Sequence, residues 1–291
     1  MLYGALEAGG TKMVCSIGDE NATILQRVSY PTTTPDETMP QMLSFFRNKG
    51  ISALGIGSFG PLDLHPESKT FGYITTTPKQ GWQQYPLQET FQKELGIPVA
   101  IDTDVNTAAL AEVTKGAAKG LDSCLYVTVG TGIGGGLMID GRLVHGLVHP
   151  ELGHMLLRAH PQDPTPEGFC PYHKGCLEGL ASGPSLEKRW GLKASALPED
   201  HIAWEIEAYY LAQMCVNSIV CFSPQKIILG GGVMQQTHLF SRIHQLTKQL
   251  LNGYINSPMV TERIPVYITA PGLGVNSGAV GALLLAININ Q

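Results

Sequence analysis

Three glycine-rich segments constrain this chain most: Glu7-Ala-Gly-Gly-Thr-Lys12, Gly130-Thr-Gly-Ile-Gly-Gly-Gly136 and Gly230-Gly-Gly-Val233. Each follows an apolar run rich in Val, Ile, Leu or Tyr, so each marks a strand that stops in a tight turn. Glycine permits such turns and leaves backbone N–H groups unobstructed. Successive outward N–H groups form a concavity that suits phosphate oxygens. One such loop carries little information. Three of them, beside Asp102-Thr-Asp104 and a Cys/His cluster at metal-ligand spacing, point to a nucleotide held in several places.

The chain has 291 residues, enough for one large domain or two of ordinary size with a substantial core. Hydrophobic residues make up 43% and charged residues 15%, which fits a globular protein and excludes a disordered one. A net charge of -5 without a basic run argues against a nucleic-acid partner. No apolar stretch approaches the roughly 18 residues of a membrane span. The N-terminus enters a strand-like run without the charged and apolar regions of a secretory signal. These features predict no membrane partner and a cytoplasmic location. Cys15, Cys124, Cys215 and Cys221 sit in apolar runs and read as core thiols, whereas Cys170 and Cys176 flank Pro, Tyr, His, Lys and Gly.

Residues 1–19 read as a hairpin around the first glycine turn, and 37–49 as a helix. A strand over 53–59 leads into a long Pro/Thr/Gly-rich loop, 63–86, of the kind that is usually functional. A helix over 87–95, a strand over 99–101 and an Ala-rich helix over 107–119 follow. The second half opens as the first does: strand 123–129, the Gly-rich turn, and return strand 136–139, which suggests an internal duplication. Helices are expected over 179–190, 202–222, 238–251 and 276–286, and strands over 226–229 and 265–268. Strands alternating with helices, with a hairpin at the front of each half, give an α/β fold with mixed sheets and a cleft between halves that meet near Gly116.

Gly130-x-Gly132-x-x-Gly135, with Glu151 about 20 residues on, matches the dinucleotide fingerprint literally, but that motif requires a helix directly after the glycines. Here the following residues read as strand, turn and strand, which favours a phosphate-binding hairpin. The Gly-Lys-Ser/Thr ending of a P-loop is missing. Asp102-Thr103-Asp104-x-Asn106 sits at the carboxyl end of a strand, where α/β sheets bind ligands. One Asp there serves as a helix cap. Two Asp plus Asn exceed that need, and one carboxylate can take a hydroxyl proton while a neighbour orients the substrate.

Cys170-x-x-His173-x-x-Cys176, with His154 as a fourth ligand, suggests tetrahedral Zn²⁺, the alternative being a reduced surface loop without metal. Four protein ligands leave no position for water, so such a zinc is structural. His65, His145, His149, His160, His201, His238 and His244 lack such spacing and read as surface or packing residues. Glu151-Leu-Gly-His154 and Glu178 bracket the metal loop, and paired carboxylates of this kind grip neutral hydroxyls, so a polyol or sugar is the matching ligand.

These residues carry a resemblance over essentially the whole chain. The segments GALEAGGTKMVCSIG, GSFGPLDL, TTPKQGW, DTDVNTAALAE, VTVGTGIGGGL, HPELGH, CPYHKGCLEGLASGP and ILGGGV resemble the ROK family of sugar kinases within the actin-like ATPase superfamily. Within it, the chain is most similar in look to zinc-containing bacterial fructokinases. The resemblance implies a two-domain actin-like (ribonuclease H-like) α/β fold. A smaller domain, 1–115, is joined by the C-terminal helix 276–291, and a larger one, 116–275, carries the zinc loop. It implies that Asp104 is the catalytic aspartate and that Thr103, Glu151, His154 and Glu178 face the sugar. Gly9, Gly10, Thr11 and Lys12 match the first phosphate segment, and Gly130, Thr131 and Gly132, with Gly179, the second. Gly230, Gly231 and Gly232 match the segment near the adenosine. His154, Cys170, His173 and Cys176 match the zinc ligands, and a homodimer is expected.

Three departures stand out: Glu7 where many members have Asp, Thr103 where glucose-directed members have Asn, and His173 where many have a third Cys. The first two look like the fructokinase branch. The expected activity is transfer of the terminal phosphate of ATP, with Mg²⁺, to a hexose, D-fructose first, giving fructose 6-phosphate. The alternatives are a glucokinase, mannokinase or N-acetylhexosamine kinase of the same family, a sugar-responsive repressor, and a zinc hydrolase. The repressor would carry a helix-turn-helix ahead of the first hairpin, and the hydrolase needs the open metal position that His154 closes.

Overall fold

The strands form two five-stranded mixed sheets of the same topology. The structure, a computed structural model, describes residues 1–289; 290 and 291, the end of the expected terminal helix, lie outside the described residues. In the first sheet, β1 (Leu2–Ala8), β2 (Lys12–Gly18) and β3 (Ile24–Pro31) form an antiparallel meander. Strands β4 (Ile51–Ser58) and β5 (Val99–Thr103) add in parallel beyond β1, giving the order β3-β2-β1-β4-β5. The second sheet repeats this. Strands β6 (Cys124–Val129), β7 (Ile133–Ile139) and β8 (Arg142–Leu143) form the meander, and β9 (Ile227–Gly230) and β10 (Ile268–Thr269) add in parallel beyond β6. Its order, β10-β9-β6-β7-β8, matches the first strand for strand, so the duplication read in the sequence is a repeat of topology.

Helices α1 (Pro35–Phe46) and α2 (Leu87–Leu95) cover the first sheet, where Met42, Phe46 and Phe91 join Leu6, Leu54 and Ile56 in one core. Helix α3 (Asp104–Lys115) follows β5. On the second sheet lie α4 (Leu177–Ala181), α5 (Gly183–Trp190), α6 (Ala203–Phe222) and α7 (Leu239–Leu251). There Trp204, Leu211 and Met214 pack with Leu125, Val127 and Leu229. Two short helices, α8 (Pro258–Thr261) and α9 (Ile264–Tyr267), lead to β10, and α10 (Ser277–Asn288) ends the described chain.

The two helices that follow each sheet's last strand cross over. Helix α3 leaves the first sheet and packs on β6 and β7 of the second, while α10 leaves the second and packs on β1 and β4 of the first. The two helices also pack on each other. A side chain at Gly281 would strike the Thr107 carbonyl, and one at Gly55 the Ala282 carbonyl, so this crossing depends on the missing Cβ atoms. Buried Glu112 ties the crossing together. Its carboxylate accepts from the N–H groups of Ala117 (2.6 Å), Gly272 (2.9 Å) and Leu273 (3.0 Å), and from the Ser277 hydroxyl (2.7 Å).

The structure differs from the sequence reading in several places. The return strand begins at Ile133 rather than Gly136, so Gly134 and Gly135 lie within β7, opposite Thr128 and Val127, as Gly136 lies opposite Tyr126. A Cβ at Gly136 would collide with the Val105 carbonyl, so that glycine admits the first turn of α3 rather than a ligand. That helix starts at Asp104, not Thr107, because Thr103 caps it, its Oγ1 accepting from Asn106 N–H at 3.1 Å. The segment 179–190 is two helices broken at Ser182, which ends α4 and caps α5. Residues 265–267 are helical because Pro265 falls in the first turn of α9, where its missing N–H costs nothing. Strand β3 has no counterpart in the sequence reading because Ile24–Pro31 is a mostly exposed edge with little apolar pattern.

Candidate active site

The first two glycine turns meet. In the β1–β2 turn, Gly9 N–H donates to Lys12 O (3.0 Å), and Thr32 braces it through its hydroxyl to Gly9 O (2.7 Å) and its N–H to Thr11 O (3.0 Å). In the β6–β7 turn, Gly130 N–H donates to Gly132 O at 2.9 Å and Gly183 N–H to Gly130 O at 2.8 Å. The tips touch through Thr11 Oγ1 and Thr131 Oγ1, 3.2 Å apart. The third turn adjoins the second, since a Cβ on Gly130 would sit 3.9 Å from Gly232 N. Gly231 adopts φ +93° against β6, where a side chain would press on Val129, and Gly232 faces open space. Lys12 is exposed at the start of β2.

An acidic row runs beside these turns. Asp104 opens α3, and its Oδ1 accepts from Val105 N–H at 2.9 Å. Burial, reinforced by the charge of Glu7, pushes its carboxyl up to about 7, and Glu151 adds to the effect. Glu7 is the penultimate residue of β1; burial raises its carboxyl, opposed by Arg27 and Lys12, and its Oε2 is buried without a hydrogen-bond partner. Burial, with Glu178 nearby, lifts Glu151 to about 7 as well. Glu178 Oε2 accepts from Ile133 N–H at 2.9 Å, which sets it against the second turn. The row from Glu7 through Asp104 and Glu151 to Glu178 therefore links one glycine turn to the other.

Asp102 faces elsewhere. Its Oδ1 accepts from Thr103 N–H (2.7 Å) and Asn106 Nδ2 (2.8 Å), and its Oδ2 pairs with His145 Nε2 at 2.8 Å. That contact raises the His145 pKa. Asp102 and Asn106 thus build the turn that presents Asp104. Asp102 and His145 also line a cavity of about 270 Å³ closed by Asp63, His65 and Phe71 of the long loop.

Two histidines read as surface or packing residues have defined partners here. Besides His145, buried His149 accepts from Leu62 N–H at Nε2 (3.0 Å), and its Nδ1 lies 3.5 Å from Glu151 Oε1. Burial lowers the His149 pKa, so the neutral ring holds its proton on Nδ1, toward Glu151. The His149-Pro-Glu151 adjacency was the one available signal in the sequence.

His154, Cys170, His173 and Cys176 converge, with all four ligand atoms within 4.8 Å of one another. His154 Nδ1 lies 3.8 Å from both Cys170 Sγ and Cys176 Sγ, and His173 Nδ1 lies 3.7 Å from Cys170 Sγ. A tetrahedron with the usual Zn–S and Zn–N bond lengths has N···S edges of about 3.6 Å. The donors therefore stand in metal-binding geometry. Gly179, expected at the nucleotide, belongs to this loop instead. Its N–H donates to Cys176 Sγ at 3.4 Å and its carbonyl accepts from Phe169 N–H at 2.8 Å, which commits both backbone groups.

Known proteins resemble this chain over nearly its whole length. The model of the family described as "ROK family" matches residues 3–289. A fructokinase of Pediococcus pentosaceus is 46% identical over 98% of this chain and 98% of its own length. A fructokinase of Streptococcus mutans is 43% identical over 99% and 98% respectively. Among solved structures, a ROK family glucokinase from Streptomyces griseus in complex with glucose and AMPPNP superposes with a TM-score of 0.78. It has 25% identity and covers 99% of this chain and 100% of its own. No helix among the described residues is long and apolar enough to cross a membrane.

Proposed function

This chain belongs to the ROK family, and from that premise we propose that it is an ATP-dependent fructokinase that converts D-fructose to D-fructose 6-phosphate. The observation that carries the reading is the placement of the Asp104 carboxyl, within the field of Glu7 and Glu151 and beside two glycine turns joined at Thr11 and Thr131. An acceptor hydroxyl held by Glu151, Glu178 and His154 gives its proton to Asp104 as its oxygen attacks the terminal phosphorus of ATP, and ADP departs. Phosphoryl transfer depends mainly on positioning and charge stabilisation. With the N–H groups of Gly9 and Gly130 closing their own turns, those of Gly10 and Thr11 and of Thr131 and Gly132 hold phosphate oxygens, Lys12 adds a cation, and Gly230–Gly232 line the adenosine side.

The unpartnered carboxylate oxygen of Glu7 has the hard oxygen chemistry that Mg²⁺ takes. Bound with ATP, that ion would neutralise phosphate charge. The two thiols and two imidazoles of the Cys/His loop suit Zn²⁺, and four protein donors make it structural, bracing the loop that carries His154 and Glu178. This argues against a zinc hydrolase. Closure of residues 1–115 on 116–275, about the crossing held by Glu112, would exclude water from the transfer. A cytoplasmic location follows from the use of ATP. Homodimer assembly fits the exposed apolar side chains of Leu147, Leu156 and Tyr172. A coupled assay across a hexose panel tests the reading: ATP-dependent turnover of fructose is expected, and no turnover of any hexose overturns it.

A further inference from the structure

The long loop 63–86 brings a cation to the first glycine turn that the mechanism above does not use. A Cβ built on Gly10 would lie 3.0 Å from Lys79 Cε and 3.4 Å from Lys79 Nζ, so the ammonium rests against the Gly9–Thr11 turn. The backbone around Lys79 is held from both sides. Thr75 bonds Pro61 O through its N–H (2.8 Å) and hydroxyl (3.0 Å), and Trp82 N–H donates to Lys79 O at 3.1 Å. Trp82 is fully buried, and its indole N–H donates to Thr33 O at 2.6 Å. A side chain at Gly81, with φ +79°, would press on Pro35.

Lys79 itself is half-buried, and among the described residues no carboxylate pairs with its ammonium and no acceptor bonds it. A half-buried lysine ordinarily lays its stem on the protein and sends its ammonium out to water. Here the ammonium lies instead against a turn of outward N–H groups shaped for an anion.

We propose that Lys79 is a phosphate-binding residue of this kinase, its ammonium neutralising the terminal phosphoryl group of ATP during transfer. This rests on the fructokinase reading above. Lys79 gives up no proton and forms no bond; it acts as a point charge, the role a lysine fills at phosphate sites. Its loop also lines the cavity beside Asp102 and His145.

The test compares wild type, K79M, K79Q and K79R. It reads kcat and KM with fructose and Mg·ATP, dissociation constants for ATP and ADP by calorimetry, and thermal unfolding. Unfolding should be unchanged, since the side chain makes no hydrogen bond. K79M and K79Q should lose kcat by about 10²-fold, the scale of removing one transition-state charge contact. K79R, which keeps a cation, should recover at least about tenfold of that loss. ATP binding should weaken at least about fivefold more than ADP binding, because only ATP carries the terminal phosphate. Neutral variants within about twofold of wild-type kcat, or equal weakening of ATP and ADP, overturn the proposal while leaving the kinase standing. Should K79M misfold, K79Q and K79R carry the same comparison. A wild-type protein that phosphorylates no hexose overturns both readings.

Discussion

Thr11 Oγ1 and Thr131 Oγ1 lie 3.2 Å apart although 120 residues separate them in sequence. Each sits at the tip of the first hairpin of its sheet, so this contact joins equivalent turns of the two repeats. A nucleotide whose phosphates bridge the turns needs both hydroxyls in register. Replacing Thr131 with Ala should raise the KM for ATP by about threefold to tenfold, the scale of one lost hydrogen bond, with the KM for fructose little changed. A rise in the fructose KM alone would place Thr131 at the wrong substrate.

Asp104 is expected to be the general base, so Asp104→Asn should cut kcat by about 10²-fold or more while the fold survives. The base works ionised, so wild-type kcat/KM should rise with pH through the carboxyl's value of about 7. The stability consequence has the opposite sign. A carboxyl raised from 3.8 to about 7 binds protons in the folded state that the unfolded chain has released. Its contribution is full below the lower value and is lost as pH rises through the upper one. Asp104→Asn should therefore be more stable than wild type at pH 8, by on the order of 1 kcal/mol, with the gain vanishing near pH 4. A flat activity profile from pH 6 to 8, or equal stabilities at pH 8, counts against this assignment.

Glu112 accepts four hydrogen bonds from both sides of the helix crossing. A Gln there, in either orientation, turns an amide N–H₂ toward at least one backbone N–H, which only donates. Glu112→Gln should cost about 2–4 kcal/mol, as buried polar groups left unpaired do, and chemical denaturation measures it. A loss under about 0.5 kcal/mol would mean that the crossing is held by α3–α10 packing alone.

If the Cys/His loop holds a structural zinc, elemental analysis should find about one zinc per chain. Chelation should lower the unfolding temperature before it lowers turnover per folded molecule. Cys170→Ser should mimic chelation. Metal-free protein of unchanged stability would refute the assignment.

Much of this was legible in the sequence because the features are local. Glycine turns after apolar runs, the Cys-x-x-His-x-x-Cys spacing and the strand-end Asp104 announce themselves within a few residues. What stayed hidden depends on distant partners. Nothing near Gly136 reveals that Val105 will press on it, and Gly134 and Gly135 read as turn although they pair with Thr128 and Val127. His149 looked like a packing residue because its partners, Leu62 N–H and the Glu151 carboxylate, come from a remote loop and from the site itself. Gly179 was assigned to the nucleotide by resemblance, whereas its local hydrogen bonds hold the metal loop. Lys79 lies in a loop legible by its length, its composition and the resemblance of its TTPKQGW segment, and its approach to Gly10 exists only in three dimensions.

Fructose is the sugar this chain phosphorylates. Thr103 stands where an Asn would offer a sugar a planar amide donor and acceptor, and its oxygen already caps α3, which leaves it one O–H and one lone pair on a single atom. The most direct test is kcat/KM for fructose and for glucose in one coupled assay with Mg·ATP. The expected result is a preference for fructose of at least about tenfold, worth about 1.4 kcal/mol in transition-state binding. Equal efficiency, or a preference for glucose, would contradict the fructose assignment, and turnover of neither sugar would contradict the kinase itself.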